Sequence, residues 1–162
     1  MEIAQLTEKH WPEVSEIYAS GLATGTANFS QQVPAWIEWN EAHLKTCRLV
    51  ITDGGKVLGW AALTAVSDRC VYAGVAEVSV YVHEGARGKG IGSQLVAALV
   101  AESEKNNLWT LEARIFAENL ASIRIHQANG FRIVGRRERI GQMNGVWCDV
   151  VLLERRSTKV GV

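Results

Sequence analysis

Apolar and polar residues alternate with a period of two in several short stretches of the chain, which is the pattern of a half-buried strand. The strands predicted from this pattern and from β-rich composition are residues 1–6, 75–83, 108–116, 130–141 and 146–156. Residues 47–66 contain two further stretches, one on each side of Asp53-Gly54-Gly55. Because that turn sequence is typical of a β-hairpin, the two stretches are predicted to pair.

Other segments place apolar residues on one face at the helical spacing of three and four. Val14, Ile17 and Tyr18 share such a face, and Thr7 is the predicted N-cap of their helix. Asn119 is predicted to cap a short helix near the end of the chain, and Gly130 to end it. The predicted helices are residues 8–24, 35–46, 91–105 and the segment that follows Asn119.

Strands occur before, between and after the helices, and no repeat or linker interrupts them. Such interleaving predicts a single-domain α/β (α+β) fold in which helices flank a mixed central sheet. The length of 162 residues suits one domain with a substantial core. Residues 25–34 are predicted to be loop, residues 1–155 the domain, and residues 156–162 a flexible tail.

Charge and cysteine usage narrow the classes of partner. Lys plus Arg and Asp plus Glu number 17 each, so the net charge is zero, which argues against nucleic acid or an anionic membrane as a partner. Cys47, Cys70 and Cys148 are far apart and have no zinc-site spacing, so we expect free thiols and no metal. The first residues lack the apolar core of a signal peptide. Together these features predict a cytoplasmic protein.

The segment Arg87-Gly88-Lys89-Gly90-Ile91-Gly92 joins a predicted strand to a predicted helix. Glycines allow left-handed backbone angles and a close approach to a ligand, so successive N–H groups can converge on an anion. The positive end of the helix dipole points to the same place, and Arg87 and Lys89 add charge. The segment is therefore a candidate pyrophosphate cradle. A strand-to-helix turn whose glycines serve packing alone is the alternative.

Two familiar phosphate loops do not fit this segment. A nucleoside triphosphate loop requires Ser or Thr after its lysine, whereas Lys89 is followed by Gly90. A dinucleotide fingerprint requires GxGxxG after the first strand of a βαβ unit, whereas these glycines are spaced GxGxG in mid-chain.

With its surroundings, the segment resembles the R/Q-x-x-G-x-G/A signature of the GNAT N-acetyltransferase superfamily. Residues 118–135, ENLASIRIHQANGFRIVG, resemble the second signature of that family, an asparagine and short helix followed by Gly-Phe. Residues 26–39, 76–82, the helix with His126 and residues 144–154 are similar to the phosphinothricin and methionine sulfoximine acetyltransferases. The resemblance covers nearly the whole chain and implies a GNAT fold with a mostly antiparallel sheet.

The resemblance implies acetyl-CoA as co-substrate, a small amino acid or analogue as acceptor, and a homodimer. It implies that backbone groups of one strand pair with the pantetheine arm and that Asn119 meets the cofactor. Asn119 is also a plain N-cap candidate. The cofactor-binding residues that it assigns are Val80, Val82, Arg87, Gly88, Lys89, Gly90, Ile91, Gly92, Ser93, Asn119 and Ser122.

The resemblance also assigns Glu77 as general base and His126 as its catalytic partner. Glu77 lies in an apolar strand, where a carboxylate is either exposed at an edge or held in a cleft with a raised pKa. His126 stands where many family members carry the tyrosine that protonates the leaving thiolate, and it is either the base or the acid. A solvent-facing Glu77 and a structural His126 are the alternatives.

Phe29, Arg69 and Tyr72 match positions that line the acceptor site in the resembled enzymes. Arg69 is suited to clamp a carboxylate, although a solvated loop arginine is the alternative. A covalent route through cysteine is disfavoured because no histidine base adjoins any cysteine in sequence. Two other functions stay open: acetylation of a protein N-terminus or a polyamine, and a non-catalytic module that senses acyl-CoA.

Overall fold

A seven-stranded sheet forms the centre of the computed structural model, which describes residues 1–162. Its strands are β1 (Glu2–Gln5), β2 (Leu49–Asp53), β3 (Lys56–Ala65), β4 (Val75–Val82), β5 (Thr110–Phe116), β6 (Arg132–Met143) and β7 (Val146–Arg156). Their order in the sheet is β1-β2-β3-β4-β5-β7-β6. Only β4 and β5 run parallel, and the other neighbours are antiparallel. The predicted mixed, mostly antiparallel sheet is confirmed.

Helices cover both faces of this sheet. They are α1 (Trp11–Ala23), α2 (Trp36–Ala42), α3 (Ile91–Lys105) and α4 (Leu120–Ala128). Apolar residues of α3 and α4 pack with the sheet in a core cluster of 19 buried residues. Residues of α1 and α2 form a second cluster of 8 buried residues on the other face, around Trp39 and Trp60. None of the helices is both long and apolar enough to cross a membrane.

The second helix is shorter than its pattern predicts, because it ends at Ala42 rather than at residue 46. The cause is Arg48, which is only 5% exposed and turns its guanidinium back to the end of the helix. Its Nη2 donates to the carbonyls of Asn40 at 2.7 Å and His43 at 3.0 Å. A distant side chain therefore satisfies the terminal carbonyls, and the chain leaves the helix early.

Strands β4 and β5 are neighbours over only part of their length. They pair at Val75, Ala76 and Glu77 of β4, and the pairing stops there although β4 continues to Val82. The two strands diverge beyond this point. A gap therefore opens in the middle of the sheet, directly after Glu77.

Residues 157–162, which belong to the predicted tail 156–162, contact the body of the domain. Ser157 is 4% exposed, and its hydroxyl donates to Glu104 of α3 at 2.8 Å. The guanidinium of Arg156 donates to the carbonyls of Val160 and Gly161 at 2.9 and 2.6 Å. These bonds fold the segment back on itself beside α3.

Candidate active site

A cleft of about 940 Å³ fills the gap between β4 and β5 and continues to both faces of the sheet. The loop after α1, the glycine turn before α3, and α4 form its walls. Most of the predicted site residues line it: Phe29, Glu77, Val80, Val82, Arg87, Gly88, Gly90, Ile91, Gly92, Ser93, Asn119, Ser122 and His126. Lys89, Arg69 and Tyr72 do not line it.

The glycine turn closes one end of the cleft. Gly88 and Gly90 have φ of +75° and +76°, which residues with a side chain rarely adopt. A Cβ at either position meets nothing within 4 Å, so both glycines face open space. Gly90 is the N-cap of α3, and because glycine has no side chain, the N-terminus of this helix is open to that space. This turn fits a pyrophosphate held by backbone N–H groups.

Two cations line the cleft in addition to these backbone groups. Arg87 lines it from the turn, and Arg124 lines it from α4. Lys89, although it lies between the two glycines in sequence, is exposed and does not line the cleft. Of the two basic residues in the glycine turn, the structure therefore brings only Arg87 to the cleft.

The free edge of β4 supplies backbone groups along the cleft. The N–H of His83 donates to the Leu58 carbonyl of β3 at 2.8 Å. Backbone groups of successive strand residues point to alternating sides, so Val80 and Val82 direct their N–H and C=O groups away from β3 and into the gap. An extended chain such as a pantetheine arm can add to this edge as a further strand.

The start of α4 lies opposite the edge of β4. Asn119 caps the helix, because its Oδ1 accepts from the Ser122 N–H at 3.2 Å. Its Nδ2 donates to the Thr26 carbonyl at 3.4 Å and so ties the loop after α1 to α4. The hydroxyl of Ser93 on α3 accepts from Asn129 at 3.1 Å. Asn119 and Ser93 line the cleft near opposite ends of α4.

His126 lies deeper in α4 and is only 2% exposed. Its Nδ1 is 2.7 Å from the Ser122 carbonyl. Because a carbonyl only accepts, Nδ1 carries the hydrogen, and Nε2 is the unprotonated nitrogen. Nε2 is buried without a partner. Burial lowers the pKa of His126, so the neutral ring is ready to accept a proton at Nε2 and has none there to give.

Glu77 stands at the point where β4 and β5 separate, and its side chain is 29% exposed. Burial raises the pKa of its carboxyl, Arg114 opposes that rise, and Glu112 adds to it. A carboxylate in this environment accepts a proton more readily than an exposed one. Its position at the mouth of the gap suits a general base.

Of the three predicted acceptor residues, one lines the cleft and two do not. Phe29 lines the cleft and packs edge-on against Phe116 with ring centroids 4.7 Å apart. Arg69 and Tyr72 lie in and beside a short 3-10 turn before β4, where the guanidinium of Arg69 sits 5.7 Å from the ring of Tyr72. The structure does not bring these two residues to Glu77 within one chain.

Sequence reasoning missed several residues that line the cleft, namely Asn28, Tyr81, Arg114 and Arg137. The hydroxyl of Tyr81 accepts from the Asn28 Nδ2 at 2.8 Å and so pins the loop after α1 to β4. Tyr81 and Glu77 lie four residues apart on one strand, so strict alternation gives them the same face. The two arginines lie on other strands, and no local pattern points to them.

A comparison with protein-family models matches residues 6–131 to the acetyltransferase (GNAT) family. Phosphinothricin N-acetyltransferase of Alcaligenes faecalis is 34% identical over 150 residues, 89% of this chain and 76% of the relative. The crystal structure of ribosomal-protein-alanine N-acetyltransferase from Brucella melitensis has a TM-score of 0.89 and 29% identity, with 97% of this chain and 100% of that chain covered.

A phosphinothricin acetyltransferase from Sinorhizobium meliloti in complex with acetyl-CoA also has a TM-score of 0.89, at 25% identity, with 99% of this chain and 90% of that chain covered. These matches agree with the two signatures. The resemblance inferred from the sequence is therefore confirmed, and the chain belongs to the acetyltransferase (GNAT) family.

Proposed function

We propose that this protein transfers the acetyl group of acetyl-CoA to the amino group of a small amino acid or analogue, by direct attack with both substrates bound. One observation carries the proposal: the anion-binding glycine turn and the half-buried Glu77 open into the same cleft. Acetyl-CoA supplies an activated thioester. The chain's own residues hold it, orient the amine and move the proton.

The donor end of the cleft holds the co-substrate. The N–H groups of residues 88–92 and the side chains of Arg87 and Arg124 bind the pyrophosphate. The free backbone groups of Val80 and Val82 bind the pantetheine arm and place the reacting carbonyl next to Glu77. A backbone N–H of this strand is also the candidate donor to the developing oxyanion.

Glu77 takes the proton from the attacking amine, directly or through one water. His126 accepts a hydrogen bond or proton at Nε2, which has no protein partner. Of the two roles open to His126, the neutral state favours that of acceptor, and the ring becomes a donor to the leaving thiolate only after it has been protonated.

Direct transfer is favoured over an acetyl-cysteine route. None of Cys47, Cys70 and Cys148 lines the cleft. Cys47 is buried, and burial raises the pKa of its thiol, which reduces the thiolate available for attack.

We further infer a homodimer formed through the β6–β7 hairpin. The hairpin exposes several apolar side chains, namely Ile133, Val134, Ile140, Val146 and Trp147. Exposed apolar side chains along a hairpin are typical of a protein interface. A monomer in sedimentation velocity at micromolar concentration contradicts this inference.

We also infer that the protein is located in the cytoplasm, because its unpaired cysteines suit a reducing compartment. Recovery of the protein from another compartment contradicts this location.

A thiol-release assay tests the proposed function. Purified protein receives acetyl-CoA and a panel of amines: phosphinothricin, methionine sulfoximine, common amino acids, a peptide with an N-terminal alanine, and spermidine. Thiol release that is fastest with an amino acid supports the proposal. Preference for the peptide or spermidine selects the other acceptor class, and tight acetyl-CoA binding without turnover on any amine selects a non-catalytic module.

For His126, we expect His126→Asn to lower kcat by about 100-fold, since general acid–base groups contribute at least that much. The asparagine amide keeps a hydrogen-bond donor at the position from which Nδ1 contacts the Ser122 carbonyl. The asparagine side chain has no atom that corresponds to Nε2. Steady-state kinetics check this, with acetyl-CoA affinity little changed. Normal turnover in the variant contradicts a catalytic role.

The same variant tests whether the buried ring of His126 is neutral in the folded protein. Burial lowers the pKa of His126 in the folded state, so the unfolded chain binds the proton first as pH falls below 6.5. Stability that is present above pH 6.5 is therefore lost on acidification. His126→Asn removes this part of the pH dependence of Tm.

A further inference from the structure

The register of the sheet places an arginine beside the candidate base. Glu77 of β4 lies opposite Glu112 of β5. Residues that are directly opposite in a ladder point their side chains to the same face. Arg114 follows Glu112 by two residues on β5, so it points to that face as well. Glu77 and Arg114 therefore face the same part of the cleft from its two edges.

Arg114 makes only long contacts with its two acidic neighbours. Its Nε is 3.5 Å from Oε2 of Glu77, and its Nη2 is 3.7 Å from Oε2 of Glu112. Both separations exceed the usual length of a charge-assisted hydrogen bond. The Arg114 side chain is 50% exposed and lines the cleft. A guanidinium has five N–H donors, so Arg114 keeps donors free for a ligand.

This pair of opposite charges is complementary to an α-amino acid. The nitrogen and the carboxylate of an amino acid are attached to the same carbon. A carboxylate and a guanidinium that lie 3.5 Å apart offer the two opposite charges at a similar spacing. An amino acid whose nitrogen approaches Glu77 thus brings its carboxylate to Arg114, where a bidentate pair can form.

We propose that Arg114 binds the α-carboxylate of the acceptor while Glu77 receives its amine, so that the pair selects free α-amino acids. The proposal rests on the proposed function, because it requires acetyl transfer beside Glu77. It gives Arg114 the role that the sequence suggested for Arg69, which lies outside the cleft.

A second cation that lines the cleft, Arg137, stands on a strand farther from Glu77. Arg137 of β6 is opposite Val150 of β7, which is in turn opposite Phe116 of β5. Two strand spacings, about 9–10 Å, therefore separate the backbone of Arg137 from β5. Arg114, whose strand pairs with β4 at Glu77, is therefore the better placed of the two arginines for a carboxylate next to the reacting amine.

The experiment compares two substrates in three variants. The substrates are the panel amino acid with the highest kcat/KM and its α-carboxamide, which keeps the amine and loses the charge. The variants are Arg114→Gln, Arg114→Lys and, as a matched cleft cation, Arg137→Gln. The readout is the ratio of kcat/KM for the acid to that for the carboxamide. Any effect of Arg114 on Glu77 or on folding acts on both substrates and cancels in this ratio.

We expect Arg114→Gln to lower the ratio by about 10- to 100-fold, the equivalent of one lost charged hydrogen-bond pair. Arg114→Lys should restore part of it, and Arg137→Gln should leave it unchanged. An unchanged ratio in Arg114→Gln, or a fall confined to Arg137→Gln, overturns the proposal while wild-type acetylation of amino acids still supports the proposed function. If the wild type acetylates no amino acid, both fail together.

Discussion

Replacing Glu77 by glutamine is expected to lower kcat by about 100- to 10,000-fold at neutral pH, the range typical of a lost general base. Glutamine has nearly the same shape but cannot accept the proton of the amine. Acetyl-CoA affinity should stay nearly constant, because Glu77 lies at the mouth of the gap and not at the glycine turn. Single-turnover kinetics together with an acetyl-CoA titration measure both quantities.

The pH profile gives an independent check. Burial raises the pKa of Glu77 above 4.5, and only the ionised carboxylate is a base. The wild-type kcat/KM should therefore rise with pH through this raised pKa and then level off. Glu77→Gln should lose that limb of the profile. A variant that keeps the limb would show that another group titrates there.

Two controls separate catalysis from folding. A carboxyl whose folded pKa is raised contributes stability below its unfolded pKa and loses it as pH rises through the folded value. Glu77→Gln should therefore have an unchanged or higher Tm at neutral pH. Glu112→Gln removes a charge from the other neighbour of Arg114, and Glu112 does not line the cleft. It should keep turnover of the wild-type order, and an equal loss in both variants argues against Glu77 as the base.

The glycine turn and the cap of α4 could be predicted because their signals are local. Positive φ at Gly88 and Gly90, the strand before them and the helix after them all lie within a short stretch of sequence. Asn119 likewise caps the helix that directly follows it. Alternation along residues 75–82 also fixes which side chains of β4 share a face with Glu77.

The arginines of the cleft depend on registers between strands that are distant in sequence. Arg114 meets Glu77 because β4 and β5 pair in parallel at Glu112 and then separate. Arg137 enters the cleft because β7 inserts between β5 and β6. The sequence around Arg114 or Arg137 does not indicate which strand it pairs with. Arg69 has the residue type suited to a carboxylate, but the turn before β4 places it outside the cleft. Residue type alone therefore pointed to a different arginine from the one that adjoins Glu77.

Replacing Gly90 by valine is expected to weaken acetyl-CoA binding by at least about 100-fold. The expected loss is two charged hydrogen bonds to the pyrophosphate, which contribute about 1.5–3 kcal/mol each. Gly90 has φ of +76°, an angle that a β-branched residue adopts only with strain. The turn either keeps that angle and fills the phosphate space with a side chain, or it changes angle and redirects its N–H groups. Both outcomes disrupt the cradle. Isothermal titration with acetyl-CoA measures the affinity.

Gly54→Val is the matched control for this strain. Gly54 has φ of +56° in the β2–β3 turn, and a Cβ there also meets nothing within 4 Å. Both variants should lose a similar stability, about 1–2 kcal/mol for a left-handed residue with a side chain. Only Gly90→Val should lose affinity, because only Gly90 lines the cleft. Equal affinities in the two variants would mean that the turn serves packing alone, and the pyrophosphate would then have to bind through Arg87 and Arg124 without the backbone cradle.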